Sequence, residues 1–445
     1  MANIYESMTP EQLDAQIADL AREVEELRFR DLTLDMTRGK PSPEQENITR
    51  PMLDVLTSTS DLANEMVDVA NYGCPEGVPS ARRLMGEILG VDPHHVLLGG
   101  SSSLNIMFDC VVHGWLHGVN GAEPQQLQAQ RGQLKWLCPS PGYDRHFMVS
   151  EHVGFQNVAI AMGPEGPDMD EVARLVETDP TVKGIWCVPK YSNPTGVTYS
   201  DETVRRFAAL KPAAPDFRIY WDNAYVVHDF TSTPDRLLEI FGAIAEAGND
   251  NLCYEFASTS KVTFAGSGIA CVAASPRDLA ELKAAFGVER VCSNKINQIM
   301  HARFFKNLEG VRAHMEKHAQ IIRPRFELVE EKLTEGLGGL GVGTWSHPRG
   351  GYFVSFDGPE GSAKDIVALA AELGVRMTAA GATWPGRHDP RDTNIRIAPS
   401  YPSLDNLSVA LDVFVVCVKY VAAKLAKQER EKGAAPAKAK KAKEA

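Results

Sequence analysis

Two kinds of hydrophobic spacing run along the chain. Behind Thr9-Pro10-Glu11-Gln12, the residues Leu13, Ile17, Leu20, Val24 and Leu27 recur every three or four positions. That start signal and period predict a capped amphipathic helix over 9–30. From about residue 80 to 275 the spacing changes to short β-rich runs that are apolar on both faces, separated by helical stretches. The runs are His95–Leu98, Lys135–Cys138, Gly184–Val188, Arg218–Trp221, Leu252–Phe256 and Ile269–Ala273. Strands that are apolar on both faces and alternate with helices predict an α/β fold, with a mainly parallel sheet covered on both sides. In such sheets ligands bind beyond the carboxyl ends of the strands, where Ser101, Asn193, Asp222 and Ser258 all fall.

A long helical stretch from roughly Asn294 to Leu333 leads into a second region, where Gly351–Phe356 and Asn394–Ala398 read as strands. This predicts a smaller α+β domain completed by the N-terminal helix. The expected division is an N-terminal helix and loop over 1–54 belonging to the small domain, a large domain over 55–305, and the C-terminal small domain over 306–427. Residues 428–445 are rich in Ala and Lys with almost no large apolar side chain, and read as a disordered tail.

A length of 445 residues is too great for one small core, in keeping with two domains. Apolar residues make up 44% and charged residues 23%, an ordinary globular balance. The net charge of −12 argues against nucleic acid or an anionic membrane as partner. The eight cysteines form no CxxC pair and no zinc-like cluster, so no metal is expected. Most lie in apolar runs and read as reduced, buried thiols. No secretory leader and no apolar run of bilayer length is evident, so the expected location is the cytoplasm.

The candidate chemistry begins at Lys261, in Phe256-Ala257-Ser258-Thr259-Ser260-Lys261. It stands 39 residues after Asp222-Asn223-Ala224-Tyr225, with Asn193-Pro194-Thr195-Gly196 upstream of both. Gly99-Gly100-Ser101-Ser102-Ser103 follows a predicted strand and precedes a helical run, an arrangement suited to binding phosphate through backbone N–H groups. These motifs, in this order over about residues 30–425, resemble fold-type I pyridoxal 5′-phosphate (PLP) enzymes, and class I aminotransferases in particular. The segments Met36-Thr37-Arg38-Gly39-Lys40-Pro41 and Gly99–Asn105 are similar to the bacterial aspartate aminotransferase subgroup.

The resemblance implies a large domain with a seven-stranded sheet, and roles for single residues. Lys261 would carry the cofactor and shuttle a proton, Asp222 would pair with the pyridine nitrogen, and Tyr225 and Asn193 would donate to the phenolic oxygen. Ser101, Ser102, Ser103, Ser258 and Ser260 would serve the phosphate. Tyr72 would reach a neighbouring subunit's phosphate site, which implies a homodimer. Tyr143 is the candidate to stack on the cofactor ring. Arg396 would take the substrate α-carboxylate as a bidentate fork, and the Gly39 backbone would close over the substrate. One departure stands out. Many relatives have Arg eight residues after the lysine, where this chain has Ile269, and no basic residue follows before Arg277.

A dicarboxylic substrate would need a second cation. Arg38, Lys40, Lys190, Arg290 and Lys295 are the candidates, with Arg38 and Lys295 foremost. The resulting expectation is a ping-pong aminotransferase acting on aspartate and 2-oxoglutarate. Rival readings are an aminotransferase for alanine or aromatic acids, or a lyase resembling aminocyclopropane-carboxylate synthases. The same domain also serves as an effector-binding module of bacterial transcription regulators. The roughly 30 residues ahead of the Asp31 loop are too few for a DNA-binding domain, which disfavours that reading.

Overall fold

The computed structural model describes residues 3–441. The expected first helix forms as α1 (Pro10–Arg28), and its capping box is closed: the Thr9 side chain accepts from Gln12 N while the Gln12 side chain accepts from Thr9 N. Leu13, Leu20, Val24 and Leu27 are buried, as the spacing predicts.

In the large region the chain passes through β1 (Val96–Leu98), α2 (Ser103–His117), β2 (Lys135–Ser140), α3 (Asp144–Val153), β3 (Gln156–Gly163) and β4 (Val182–Cys187). It continues through β5 (Arg218–Asp222), β6 (Cys253–Ser258) and β7 (Ala270–Ala274). These strands lie side by side in the order β1-β7-β6-β5-β4-β2-β3, and a two-residue strand, Gly166–Pro167, pairs outside β3. Pairing from β6 across to β3 is parallel, whereas β7 runs antiparallel to both β6 and β1. The sheet is thus mainly parallel, with the seven strands expected and a short eighth. Strand β3 is absent from the apolar runs because much of it is exposed at the sheet's edge side, so Asn157 and Gly163 interrupt the pattern. Every residue of β4, β5 and β7 is buried, as two covered faces require.

The predicted single helix over 294–333 is two helices, α4 (Lys295–Phe305) and α5 (Leu308–Leu337). Lys306 takes φ 68° and Asn307 caps the new helix by accepting from Gly310 N. Gly310 is required there, since a side-chain carbon would lie 1.9 Å from Phe305 O. Beyond α5, β8 (Val354–Asp357) pairs antiparallel with β9 (Asn394–Ile397), placing Ser355 opposite Arg396. The last helix, α6 (Leu404–Lys441), carries the chain through most of the segment expected to be a disordered tail. Ala and Lys are strong helix formers, so a composition too polar to pack can still prolong an anchored helix. Residues 442–445 of that segment lie outside the described residues.

Leu13 and Leu20 of α1 share one apolar cluster with Phe326 and Leu333 of α5 and Phe414 and Val418 of α6. Each such side chain contributes about 1.5–3 kcal/mol by leaving water. Tyr191 and Tyr225, from loops at the strand ends, belong to the same cluster. It therefore reaches the edge of the large sheet where the predicted site residues stand. Six of the cysteines are buried, with Cys74 and Cys292 intermediate. Among the described residues, no helix is long and apolar enough to cross a membrane.

Candidate active site

The carboxyl ends of the parallel strands bring the expected residues together. Asp222 closes β5, Ser258 closes β6, and Lys261 follows in a single turn of 3₁₀ helix, Thr259–Lys261. Parallel register sets Phe256 beside Asp222, so the two strand ends reach the same edge. Lys261 is half-buried, and its ammonium lies 5.1 Å from the centre of the Tyr225 ring. Loss of hydration lowers the Lys261 pKa below the ordinary lysine value, against a smaller opposing pull from the Asp222 carboxylate. A lysine in this setting gives up its proton more readily than one on the surface, which suits an amine nucleophile.

Asp222 is buried, and His146 Nε2 donates to its Oδ2 at 3.0 Å. The His146 ring is stacked on Trp186, with centroids 4.7 Å apart and planes 17° apart. The second oxygen of Asp222, Oδ1, is buried and has no protein partner. An unpaired carboxylate oxygen in that position costs free energy unless a donor arrives. Tyr143 packs edge-on to His146 at 4.8 Å. Burial, and then the nearby Asp144 and Asp222 carboxylates, push the Tyr143 phenol up to about 12, so it stays neutral.

Arg396, on β9, reaches this edge from the smaller sheet. Its Nη1 donates to Asp144 Oδ1 at 3.1 Å and to Asn193 Oδ1 at 3.2 Å, and Nη2 donates to Thr378 Oγ1 at 3.2 Å. Its Nε is buried without a partner, and the guanidinium lies 4.9 Å over the Phe353 ring. Because Asn193 accepts through its oxygen, its amide N–H groups are left to serve another acceptor. Gly39 lies against Phe353 so closely that a side-chain carbon there would come within 2.5 Å of the ring. Gly39, Phe353 and Arg396 thus form one contact series.

The serine-rich turn is also assembled. Ser258 Oγ donates to Ser101 O at 2.9 Å and accepts from Ser260 N at 3.1 Å. Ser102 and Ser103 begin α2, and Ser102 makes no side-chain cap bond; of the first-turn N–H groups, Asn105 N donates to Ser102 O at 3.2 Å, so those of Ser103 and Leu104 are the ones a phosphate would meet. Ile269 points into an apolar cluster and supplies no charge here. A cation does lie alongside: the Arg290 guanidinium would sit 2.4 Å from a side-chain carbon at Gly99, and its Nε and Nη2 have no partner.

Other expected residues stand elsewhere. Lys295 Nζ donates to the carbonyls of Asp68 at 2.8 Å and Tyr72 at 3.2 Å, so its charge holds that segment in place and is not left for a substrate carboxylate. Lys190 is likewise engaged, with Val226 O and Asp229. Lys40 lies 3.8 Å over the Tyr401 ring. Arg38 is exposed, and Tyr72 is 79% exposed. His146, Asp144, Phe353 and Thr378 escaped the sequence reading.

Known proteins resemble this chain in sequence and in fold. The sequence profile described as aspartate amino-transferase matches residues 8–430. An aspartate aminotransferase of Corynebacterium glutamicum is 42% identical over 405 residues, covering 91% of this chain and 93% of that protein. The crystal structure of an aspartate transaminase from the same species superposes with a TM-score of 0.92 at 40% identity, covering 96% of this chain and 99% of that one. The α-aminoadipate aminotransferase LysN of Thermus thermophilus, solved with N-(5′-phosphopyridoxyl)-L-leucine, shares the fold at a TM-score of 0.71 and 21% identity.

Proposed function

The chain belongs to the aspartate aminotransferase family, and on that premise we propose that it exchanges the amino group between aspartate and 2-oxoglutarate, with PLP on Lys261. The observation that carries the cofactor reading is the buried, unpartnered Asp222 Oδ1, which matches the N–H of a protonated pyridine ring. The free amide of Asn193 and the Tyr225 hydroxyl suit the ring oxygen, and the Ser101–Ser103 and Ser258–Ser260 segments suit the phosphate. Arg290, whose guanidinium lies beside Gly99, is our choice of cation for that phosphate, in place of the arginine that many relatives carry where this chain has Ile269.

Once bound, PLP supplies an aldehyde carbon for the amino group and a ring that withdraws electrons from the substrate Cα. The chain does the rest. Arg396 offers a fork for the α-carboxylate and so fixes the direction of the Cα–H bond. Lys261 Nζ, with its lowered pKa, would accept the Cα proton and return it to the former aldehyde carbon of PLP, on the other side of the amino nitrogen. Asp222, held by His146, keeps a negative charge at the ring nitrogen. Arg38, uncommitted beside Gly39, is our choice for the distal carboxylate. The exposed Tyr72 fits a homodimer in which it reaches the partner's phosphate site, and we place the enzyme in the cytoplasm.

Support for the substrate comes from the 42% identity to an aspartate aminotransferase. Steady-state turnover of aspartate and 2-oxoglutarate, with oxaloacetate read through coupled reduction, tests it. Parallel double-reciprocal lines are expected for the ping-pong order, and converging lines would contradict that order.

A further inference from the structure

Behind Lys261, on the side of its main chain, lies a buried polar chain that the proposed chemistry does not use. It begins in the short helix Pro43–Thr49, just after the Gly39 loop. Gln45 closes a capping box there, its Oε1 accepting from Ser42 N at 3.0 Å. That bond fixes which way the amide points, so Gln45 Nε2 must be the donor in its other two contacts. These are His318 Nδ1 at 3.0 Å and Tyr352 Oη at 3.0 Å. Gln45, His314, His318 and Tyr352 are all buried.

The proton positions downstream then follow. Tyr352 accepts from Gln45 and passes its own proton to Lys261 O at 3.3 Å. His318 accepts at Nδ1, so as a neutral imidazole it carries its proton on Nε2, which lies 3.0 Å from His314 Nε2. His314 Nε2 also lies 2.9 Å from Val262 O and 3.4 Å from Thr49 Oγ1. One proton is shared among His318, His314 and Val262. While His318 holds it, His314 accepts and has nothing to give Val262. If Gln45 could not donate, His318 would carry its proton on Nδ1 instead, and His314 would be free to donate to the Val262 carbonyl. Burial holds both imidazoles below the ordinary histidine value, His318 at about 3, so both are neutral near pH 7 and the tautomer argument applies.

We propose that Gln45 is a positioning residue whose amide sets the direction of the hydrogen-bond chain through Tyr352, His318 and His314, and thereby the hold on the Lys261 and Val262 carbonyls. The chain ties the segment that carries Gly39 to the main chain of the lysine. Ser400 Oγ, which donates to Lys40 O at 3.1 Å, anchors the same segment to the smaller domain. The inference rests on the reading of Lys261 as the cofactor-bearing residue.

The test uses Gln45→Glu. Glutamate has the same shape and is as good a capping-box residue, so Ser42 N keeps its acceptor. The donor is lost and a carboxylate stands in its place: Tyr352 would turn its hydroxyl from Lys261 O to that carboxylate, and His318 would move its proton to Nδ1 to donate to it. Long-range 1H–15N spectra of histidine-labelled protein without cofactor should show His318 protonated at Nε2 in the wild type and at Nδ1 in the variant. With PLP bound, the pH midpoint of the cofactor's absorbance should move by about half a unit or more. The groups facing the lysine there are Asp222, Tyr225 and His228. Turnover should fall about tenfold in kcat with KM little changed, and the melting temperature should stay close to wild type.

A wild-type His318 already protonated at Nδ1 would overturn the proposal. So would a folded Gln45→Glu variant with unchanged midpoint and kcat. Should that variant not fold, Gln45→Met, which cannot donate and accepts only weakly through sulfur, must move the same midpoint or the proposal fails. A wild type that takes up no PLP would instead defeat the cofactor reading, and the histidine spectra would still decide the proton arrangement.

Discussion

Replacing His146 by Phe isolates one bond. The aromatic ring keeps its place over Trp186, where the planes are 4.7 Å apart by centroid and tilted by 17°, while the N–H that reaches Asp222 at 3.0 Å disappears. Asp222 Oδ1 already lacks a protein partner, so the variant leaves both oxygens of a buried carboxylate without one. A hydrogen bond to a charged group is worth about 1.5–3 kcal/mol, and an unpaired buried charge costs more. If Asp222 acts on the cofactor ring, that energy appears in the transition state as a roughly ten- to hundredfold loss of kcat. KM for aspartate should move less, because Arg396 binds the α-carboxylate independently. PLP affinity, followed by absorbance, should weaken in parallel. A His146→Phe enzyme that folds and turns over within about twofold of wild type would refute the role assigned to this pair.

Lys261→Ala should remove the absorbance of lysine-bound cofactor and nearly all turnover; survival of both would end the assignment. Arg396→Lys keeps the charge but loses the fork, and should raise KM for aspartate about tenfold or more, as initial-rate measurements would show. Glu255, buried beside Asn223 in the middle of β6, is pushed up to about 8, chiefly by desolvation. Between an unfolded value near 4.3 and about 8, the folded protein therefore holds one proton more. Stability should fall by about 1.4 kcal/mol per pH unit as pH rises through that window. Glu255→Gln should flatten this part of the profile in thermal melts at pH 5, 6.5 and 8, and an unchanged slope would contradict the sign.

Sequence reading reached the parts of the fold that local spacing encodes. Strands β4 to β7 were visible because burial on both faces demands unbroken apolar runs, and α1 because it buries one stripe. Strand β3 hid behind its exposed positions. The break between α4 and α5 depends on Lys306 at positive φ and on Gly310 fitting against Phe305, neither of which alters helical periodicity. At the site, Lys261, Asp222, Tyr225, Asn193 and Arg396 each stood in a motif with its own chemistry. His146 and Thr378 gained their roles only from tertiary contact, since no spacing rule links residue 146 to 222 or 378 to 396. Lys295 looked available because sequence shows charge and not the two carbonyls that occupy it.

The most direct test of the central claim is a half-reaction with a single amino acid. Purified protein carrying PLP would be mixed in turn with aspartate, glutamate, alanine and phenylalanine, with no oxoacid present, and the cofactor's absorbance followed. The account predicts rapid conversion to the amine form of the cofactor with aspartate and glutamate, and none of comparable rate with the other two. Conversion by alanine or phenylalanine alone would contradict the dicarboxylate assignment, and a protein that shows no lysine-bound cofactor band would contradict the site itself.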